Sequence, residues 1–141
     1  MDKFSKHVKL YPMIRQTLET IKRAMRRYFE EVNVPEKMVT DNAGQFKSSL
    51  WHKFAEEYGI STATTTSYNL QSNPVERVMR ELGRITSTYA SQNHTSWIGI
   101  IPQAERVINA TTHSSTGYSP NELYYNEQGH LDLLETLIPE E

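Results

Sequence analysis

The sequence predicts a single α/β domain. Segments rich in β-branched residues alternate with segments in which apolar residues recur at helical spacing, and this alternation is typical of a sheet flanked by helices. The length of 141 residues is that of one domain, and 37% apolar with 23% charged residues is an ordinary globular composition. A chain of this size and composition can bury a hydrophobic core.

The N-terminal part is predicted to form a strand and then a helix. Residues 4–13 alternate partly between apolar and basic side chains, which predicts a strand. From Thr17 to Val32, apolar residues recur at helical spacing and basic residues lie on the opposite side, which predicts an amphipathic helix with a basic outer face. Val34-Pro35 ends this helix, because proline lacks an N–H and restricts the residue before it.

Two short strands are predicted to enclose a second helix. Residues 37–40 form the first strand and place Asp41 at its C-terminal end. A helix follows Ser48, and Gly59 is its stop signal. Residues 60–66 are rich in threonine and therefore predict a further strand.

A loop and a third helix come next. Residues 67–74 are turn-formers and predict a mobile loop, which ends in a proline suited to a first helical turn. The helix after it carries one apolar stripe. At about 100° per residue, Glu76, Arg80 and Arg84 line one flank of that stripe.

The last part is predicted to contain two helices and an acidic tail. Apolar spacing predicts a helix over residues 96–112, with Pro102 either kinking it or starting its main part. Ser119-Pro120-Asn121-Glu122 is a capping box that opens one short helix. The last 21 residues carry six acids and no base, so we predict a folded domain at residues 1–126 and an acidic tail at residues 127–141.

Composition excludes several classes of protein and site. The chain has no cysteine, so neither a disulfide nor a cysteine-based zinc site is possible, and its five histidines are scattered. No apolar run approaches the roughly 20 residues of a membrane span, and the N-terminus has no signal-peptide pattern. We therefore expect an intracellular protein without membrane contact. The first 120 residues carry fifteen bases against eleven acids, and this excess permits nucleic-acid binding.

Two carboxylates are the candidate metal ligands. Asp41 at a strand end and Glu76 at a helix start occupy positions from which side chains can converge beside a sheet. Oxygen ligands without a neighbouring His or Cys favour Mg²⁺ or Mn²⁺ over zinc. A strand-end Asp followed by Asn is also a common turn-former, and a first-turn Glu complements the helix dipole, so the spacing leaves both interpretations open.

The sequence around these carboxylates carries motifs that resemble one family. In chain order the motifs are Asp2-Lys3-Phe4-Ser5-Lys6, Val34-Pro35-Glu36, Thr40-Asp41-Asn42-Ala43-Gly44-Gln45-Phe46, Tyr58-Gly59-Ile60, Tyr68-Asn69-Leu70-Gln71-Ser72-Asn73-Pro74-Val75-Glu76-Arg77, Trp97, Pro102, Asn109, His113-Ser114-Ser115-Thr116-Gly117 and Tyr118-Ser119-Pro120-Asn121-Glu122-Leu123. By their order and spacing the chain resembles the catalytic core of retroviral and gypsy-type retrotransposon integrases. The resemblance implies a ribonuclease-H-like fold and an Asp, Asp, Glu triad that holds two divalent ions, Mg²⁺ or Mn²⁺.

The resemblance also implies a function and a set of functional residues. Asp41 matches the second catalytic Asp and Glu76 matches the catalytic Glu. The implied activity is 3′-end processing and strand transfer of element DNA into target DNA, in the nucleus or cytoplasm of a eukaryotic host. The implied partners are DNA and a homodimer or higher multimer. Residues implied to contact DNA are Asn42, Tyr68, Asn69, Gln71, Arg77, Arg80 and Arg84.

The sequence departs from the family pattern in several places. The glycine after Asp41 comes one place late, at Gly44, and Leu70 stands where proline is usual. The interval from Asp41 to Glu76 is one residue shorter than the common form in the family. Asp2 matches a non-catalytic position, and the family's first catalytic Asp has no match. We therefore expect a core truncated at its N-terminus and lacking the first strand, and the sequence leaves open the alternative of an inactive integrase-derived relic that binds nucleic acid or a protein partner.

Overall fold

The computed structural model describes residues 1–65, 74–93 and 97–125 of the chain. These residues belong to two compact units, Tyr11–Pro74 and the combination of Met1–Leu10 with Val75–Glu141. The helices and strands are α1 (Leu18–Glu31), β1 (Lys37–Thr40), α2 (Gly44–Lys47), α3 (Ser49–Glu57), β2 (Ser61–Thr64), α4 (Pro74–Asn93) and α5 (Trp97–Ala110). The predicted α/β class is confirmed.

Helix α1 begins where the sequence predicts because Thr17 caps it. The Thr17 hydroxyl accepts a hydrogen bond from the Thr20 N–H, and the Thr20 hydroxyl accepts one from the Thr17 N–H. This reciprocal arrangement satisfies backbone donors that have no partner within the helix. The helix ends at Val32, just before the predicted Val34-Pro35 break.

The two strands of unit Tyr11–Pro74 form a parallel pair. Lys37 lies opposite Ser61, and the register continues to Thr40 opposite Thr64. Helix α3 provides the connection between them, and Gly59 ends that connection with a φ of 70°, a backbone conformation that glycine adopts readily. Both predicted strands and the predicted helix between them are confirmed.

An aromatic cluster forms the core of this unit. The Phe54 ring lies 6.2 Å from the Phe29 ring and 5.7 Å from the Trp51 ring, measured between centroids. The Arg26 guanidinium carbon lies 5.4 Å from the Phe54 centroid, within the range of a cation–π contact. The apolar face of α1 therefore packs on α3 through Phe29, while an arginine of its basic face covers the edge of the same cluster.

The prediction of a strand at residues 4–13 is wrong. The segment contains a turn followed by irregular backbone, and side chains of α5 bind it. Asn109 Oδ1 accepts a hydrogen bond from the Val8 N–H at 2.8 Å, and Asn109 Nδ2 donates to the Val8 carbonyl at 2.8 Å. Glu105 accepts from the Leu10 N–H at 2.7 Å. These α5 side chains form hydrogen bonds with backbone groups that would pair with a neighbouring strand if the segment were a strand.

Helices α4 and α5 belong to the other unit. Helix α4 begins at Pro74, as predicted, and its apolar stripe is only partly covered, since Val78 is buried while Val75 and Met79 are exposed. Helix α5 begins at Trp97, so Pro102 lies inside the helix. No helix in the described part of the chain is long and apolar enough to cross a membrane.

The predicted capping box after α5 is confirmed. The Ser119 N–H donates to Glu122 Oε2 at 2.7 Å, and the Glu122 N–H donates to the Ser119 hydroxyl at 3.3 Å. The hydrogen bonds from Ser119, from its backbone first and then from its hydroxyl, lower the pKa of the Glu122 carboxyl. The proposed tail at residues 127–141 lies outside the described residues, so the division of the chain at residue 126 stays a prediction.

Candidate functional site

Asp41 lies directly after β1, as the sequence predicts, and is exposed. Its Oδ1 accepts a hydrogen bond from the Ala43 N–H at 3.0 Å, which forms an Asx-turn. Ala43 has φ −62° and ψ 148°, an ordinary extended conformation, so alanine is accommodated here without strain. Gly44, which comes one place later than the glycine of the family pattern, is the first residue of α2. Asp41 is therefore a turn-former whose carboxylate also remains open to solvent.

Glu76 lies in the first turn of α4, where its charge complements the helix dipole. Arg80 Nη2 lies 4.0 Å from Glu76 Oε1, so these two side chains share the predicted flank of the helix. Arg84 pairs with Glu81 at 2.7 Å. The arginine side chains are 77% and 76% exposed, and exposed ion pairs of this kind add little stability. Both arginines are therefore accessible to a phosphate.

Arg77 has a partner within its own unit. Its Nη1 donates to the Ser114 hydroxyl at 2.8 Å. Burial first, and then the positive charges of Arg77 and Lys6, lower the pKa of the neighbouring His113. Ser114 therefore occupies one donor of the Arg77 guanidinium, and the DNA contact of Arg77 stays a prediction.

Asp2 has a structural role. Its Oδ2 accepts hydrogen bonds from the Ser5 N–H at 2.7 Å and from the Ser5 hydroxyl at 2.6 Å. Burial alone would raise the pKa of the Asp2 carboxyl, but the two bonds from Ser5 and the nearby positive charges lower it overall. This carboxylate stabilises a turn, in agreement with its match to a non-catalytic position.

The two candidate metal ligands lie in different compact units. Asp41 belongs to Tyr11–Pro74 and Glu76 to the other unit, so their convergence on shared ions stays a prediction. Within residues 1–65, 74–93 and 97–125, no three His, Asp or Glu side chains form a cluster that could hold a metal ion. Taken singly, each residue fits the role, because each presents an accessible carboxylate of the kind that Mg²⁺ and Mn²⁺ prefer.

A half-open groove of about 370 Å³ lies beside Asp41, in the unit Tyr11–Pro74. We call it the strand-end groove. The residues that define it include Asn42, Lys47, Trp51, His52, Thr62 and Thr64. Of these, only Asn42 is predicted from the sequence as a binding residue. The alternation of Thr62 and Thr64 on one face of β2 is the signal that could have indicated the groove.

The predicted DNA contacts at Tyr68, Asn69 and Gln71 lie outside the described residues.

Two comparisons with known sequences agree with each other. The family model described as "Integrase core domain" matches residues 1–69. The Pro-Pol polyprotein of Simian foamy virus type 1 is 24% identical over 126 residues, which cover 89% of this chain and 11% of that protein. The Pro-Pol polyprotein of Feline foamy virus is 27% identical over 118 residues, which cover 82% of this chain and 10% of that protein. The chain thus spans about a tenth of the length of these relatives.

Solved structures share the fold. The simian T-cell lymphotropic virus intasome in complex with PP2A regulatory subunit B56 gamma gives a TM-score of 0.78 at 21% identity, covering 88% of this chain and 46% of that chain. The catalytic core domain of BIV integrase gives 0.71 at 21% identity, covering 92% and 84%. The HTLV-2 integrase catalytic core domain in complex with magnesium gives 0.68 at 22% identity, covering 84% and 77%.

The fold is therefore that of the retroviral integrase catalytic cores, a ribonuclease-H-like α/β class. The match to the integrase core domain and the Pro-Pol relatives add sequence support to this fold. The integrase core domain match, the Pro-Pol relatives and the shared fold together support a retroviral-type integrase core, which confirms the resemblance inferred from the motifs.

Proposed function

We propose that this chain acts in DNA integration as the catalytic core of a retroelement integrase, with Asp41 and Glu76 as two of its metal ligands. The observation that carries the proposal is the exposed Asp41 at the end of β1, within the segment that matches the integrase core domain. Two divalent ions, when bound, stabilise the attacking and leaving oxygens of a phosphodiester displacement.

The chain's own residues have two tasks in this proposal. Asp41 and Glu76 hold Mg²⁺ or Mn²⁺, and magnesium in the HTLV-2 core supports this choice of metal. Arg80 and Arg84, on the helix that carries Glu76, bind phosphates and orient element or target DNA. The intasome and the trimeric and dimeric HTLV-2 cores support DNA as the partner and a multimer as the assembly. Nuclear or cytoplasmic action in a eukaryotic host is part of the same proposal.

Metal binding tests the assignment of the two carboxylates. Replacing either ligand, as Asp41→Asn or Glu76→Gln, removes one charged oxygen donor. Even outer-shell partners of a metal contribute about 10–100-fold to its affinity, so we expect each change to weaken Mn²⁺ binding at least about tenfold. The measurement is a titration of the 141-residue chain followed by the electron paramagnetic resonance signal of free Mn²⁺.

Glu57→Gln is the matched control, since Glu57 is an exposed acid on α3 and the change removes the same charge. Unchanged Mn²⁺ affinity in Asp41→Asn would contradict the assignment. Only two of the family's three carboxylates have a match in this sequence, so we expect the chain by itself to give little or no strand transfer. Mg²⁺-dependent joining by this chain, lost in Asp41→Asn, would overturn that expectation.

DNA binding tests the role of the α4 arginines. The double variant Arg80→Ala, Arg84→Ala is expected to weaken duplex DNA binding and to reduce the slope of log affinity against log salt by about 1 for each lost phosphate contact. Fluorescence anisotropy of a labelled duplex at several salt concentrations measures both quantities. A relic without catalytic function would retain this arginine-dependent affinity and lack the carboxylate-dependent Mn²⁺ site.

The control double variant is Arg15→Ala, Arg106→Ala, which removes the same net charge from exposed residues elsewhere. If both double variants reduce the salt slope equally, the effect comes from net charge, and the proposed contact through α4 is wrong.

A further inference from the structure

We infer that the stack of the His7 ring on the Tyr124 ring is an acid-sensitive contact that releases the short helix capped by Ser119 when His7 is protonated. The two ring centroids lie 4.2 Å apart, at an interplanar angle of 20°. We call this contact the His7–Tyr124 stack. Both residues belong to the unit that combines Met1–Leu10 with Val75–Glu141, so the contact is made within one compact unit.

The N-terminal turn holds His7 in place from its backbone. The Asp2 N–H donates a hydrogen bond to the His7 carbonyl at 2.9 Å, and the His7 N–H donates to the Ser5 hydroxyl at 3.2 Å. Ser5 is buried, and its own N–H and hydroxyl donate to the Asp2 carboxylate. The turn therefore positions the imidazole without help from Tyr124, and it keeps its hydrogen bonds when the stack opens.

The helix on the other side of the stack presents two neighbouring tyrosines. The His7 ring also meets the Tyr125 ring edge to face, with centroids 6.3 Å apart, and the two tyrosine rings lie 5.3 Å apart. Stacked and edge-to-face are the arrangements that aromatic pairs prefer. Residues 126–141 follow Tyr125 directly in the sequence. The stack therefore fixes the point of the fold from which those residues continue.

The two carboxylates that face His7 are already engaged with other groups. Glu105, on α5, pairs with Lys9 at 3.5 Å and accepts a hydrogen bond from the Leu10 N–H at 2.7 Å. Asp2 is bound within the turn. Lys9 and the amino terminus also face His7, and both would repel a second positive charge. These acids therefore compensate an imidazolium at this position only in part.

The balance of these influences favours the neutral ring in the docked state. Burial lowers the pKa of the His7 imidazole below its ordinary 6.5, and the charges of Lys9 and the amino terminus lower it further, against the opposing effect of Glu105 and Asp2. A released His7 in water titrates at about 6.5. Below pH 6.5 the released state therefore binds more protons than the docked state, so the stability of the stack is complete above that pH and is lost as the pH falls.

Proton NMR of the 141-residue chain tests the inference between about pH 8 and about pH 5, the range that includes the ordinary titration of histidine. The pKa of His7 is expected to lie below 6.5. The Tyr124 ring signals, displaced by the ring current of the imidazole, are expected to move to those of an unstacked tyrosine as the pH falls. The ratio of released to docked helix rises by up to about tenfold for each unit between the two pKa values.

Two histidine variants separate the titration of His7 from that of other groups. His7→Phe keeps an aromatic ring and removes the titrating nitrogen, so the Tyr124 signals should stay displaced at every pH. His52→Phe is the matched control, since His52 is an exposed histidine on α3, in the unit Tyr11–Pro74. This change should leave the Tyr124 titration as it is in the parent.

Tyr124→Ala tests the stack from its other side. Loss of the ring exposes the imidazole to water, so the pKa of His7 is expected to rise towards 6.5. Tyr118→Ala is the control, because Tyr118 is 57% exposed and lies in the same unit. Its loss should leave the pKa of His7 unchanged.

Three results would overturn the inference. A His7 pKa at or above 6.5 would show that attraction between the imidazolium and the Tyr124 ring face outweighs burial. Tyr124 signals that ignore pH, or that change equally in His7→Phe, would show that His7 does not control the contact. Loss of the Phe54 signals at the same pH would indicate general acid unfolding. None of these measurements involves Asp41 or a metal ion, so the stack and the proposed metal site can fail independently.

Discussion

Phe54→Ala is expected to lower the free energy of unfolding by about 3–5 kcal/mol, the usual range for removing a buried aromatic ring. Phe54 is 2% exposed, and its ring lies near the rings of Phe29, Trp51 and Tyr58, at centroid distances of 6.2, 5.7 and 5.2 Å. Alanine would leave a cavity where α1 and α3 meet. Because small domains are stable by only about 5–15 kcal/mol, much of the total would be lost. Urea denaturation followed by circular dichroism measures the change.

Leu50→Ala provides the matched control on the same helix. Leu50 is 58% exposed, so its truncation removes little buried area and is expected to change stability by no more than about 0.5 kcal/mol. Similar losses in the two variants would show that the aromatic cluster is not the core of this unit.

Asn109→Ala is expected to lower stability by about 2–6 kcal/mol and to release the N-terminal segment. The Asn109 amide makes both of its hydrogen bonds, at 2.8 Å each, to the backbone of the buried Val8. Alanine would leave the Val8 N–H and carbonyl unpaired, and each buried unpaired group costs about 1–3 kcal/mol. Hydrogen exchange of the Val8 amide, together with urea denaturation, measures the release and the loss of stability.

Gln103→Ala is the control for this prediction, because Gln103 is an exposed amide on the same helix. Its loss should leave Val8 exchange unchanged and stability within about 0.5 kcal/mol of the parent. Unchanged protection of the Val8 amide in Asn109→Ala would show that Asn109 does not hold the segment.

Most elements of the fold could be predicted because their signals are local. Thr17 and Ser48 cap helices with their own side chains. Gly59 has the positive φ that follows the end of α3, and Pro74 occupies the first position of α4, where proline is tolerated. The short helix α2 was missed, since a glycine just after a strand end is also typical of a turn. The strand at residues 4–13 was wrong because a strand requires a partner, and alternation within one segment does not indicate whether that partner is present.

The candidate site could likewise be predicted only where its signals are local. The position of Asp41 follows from the short apolar segment before it, and the flank shared by Glu76 and Arg80 follows from helical geometry. The strand-end groove could be predicted only in part, from the alternation of Thr62 and Thr64, because the packing of the other lining elements against one another carries no local signal. Asn109 carried one signal that could have been used, since it is a polar residue among the buried positions of an apolar helix.

Local signals in the sequence are sufficient for the integrase motifs, for most of the helices and strands in their order, and for the placement of Asp41 and Glu76 at element ends. These features depend on residues that are near one another in the chain. Which distant polar groups meet depends on the tertiary structure, as for Asn109 and Val8, which are 101 residues apart. The physical reason is that the hydrogen-bond partner of a buried group is set by packing, which brings together residues whose separation along the chain carries no local signal.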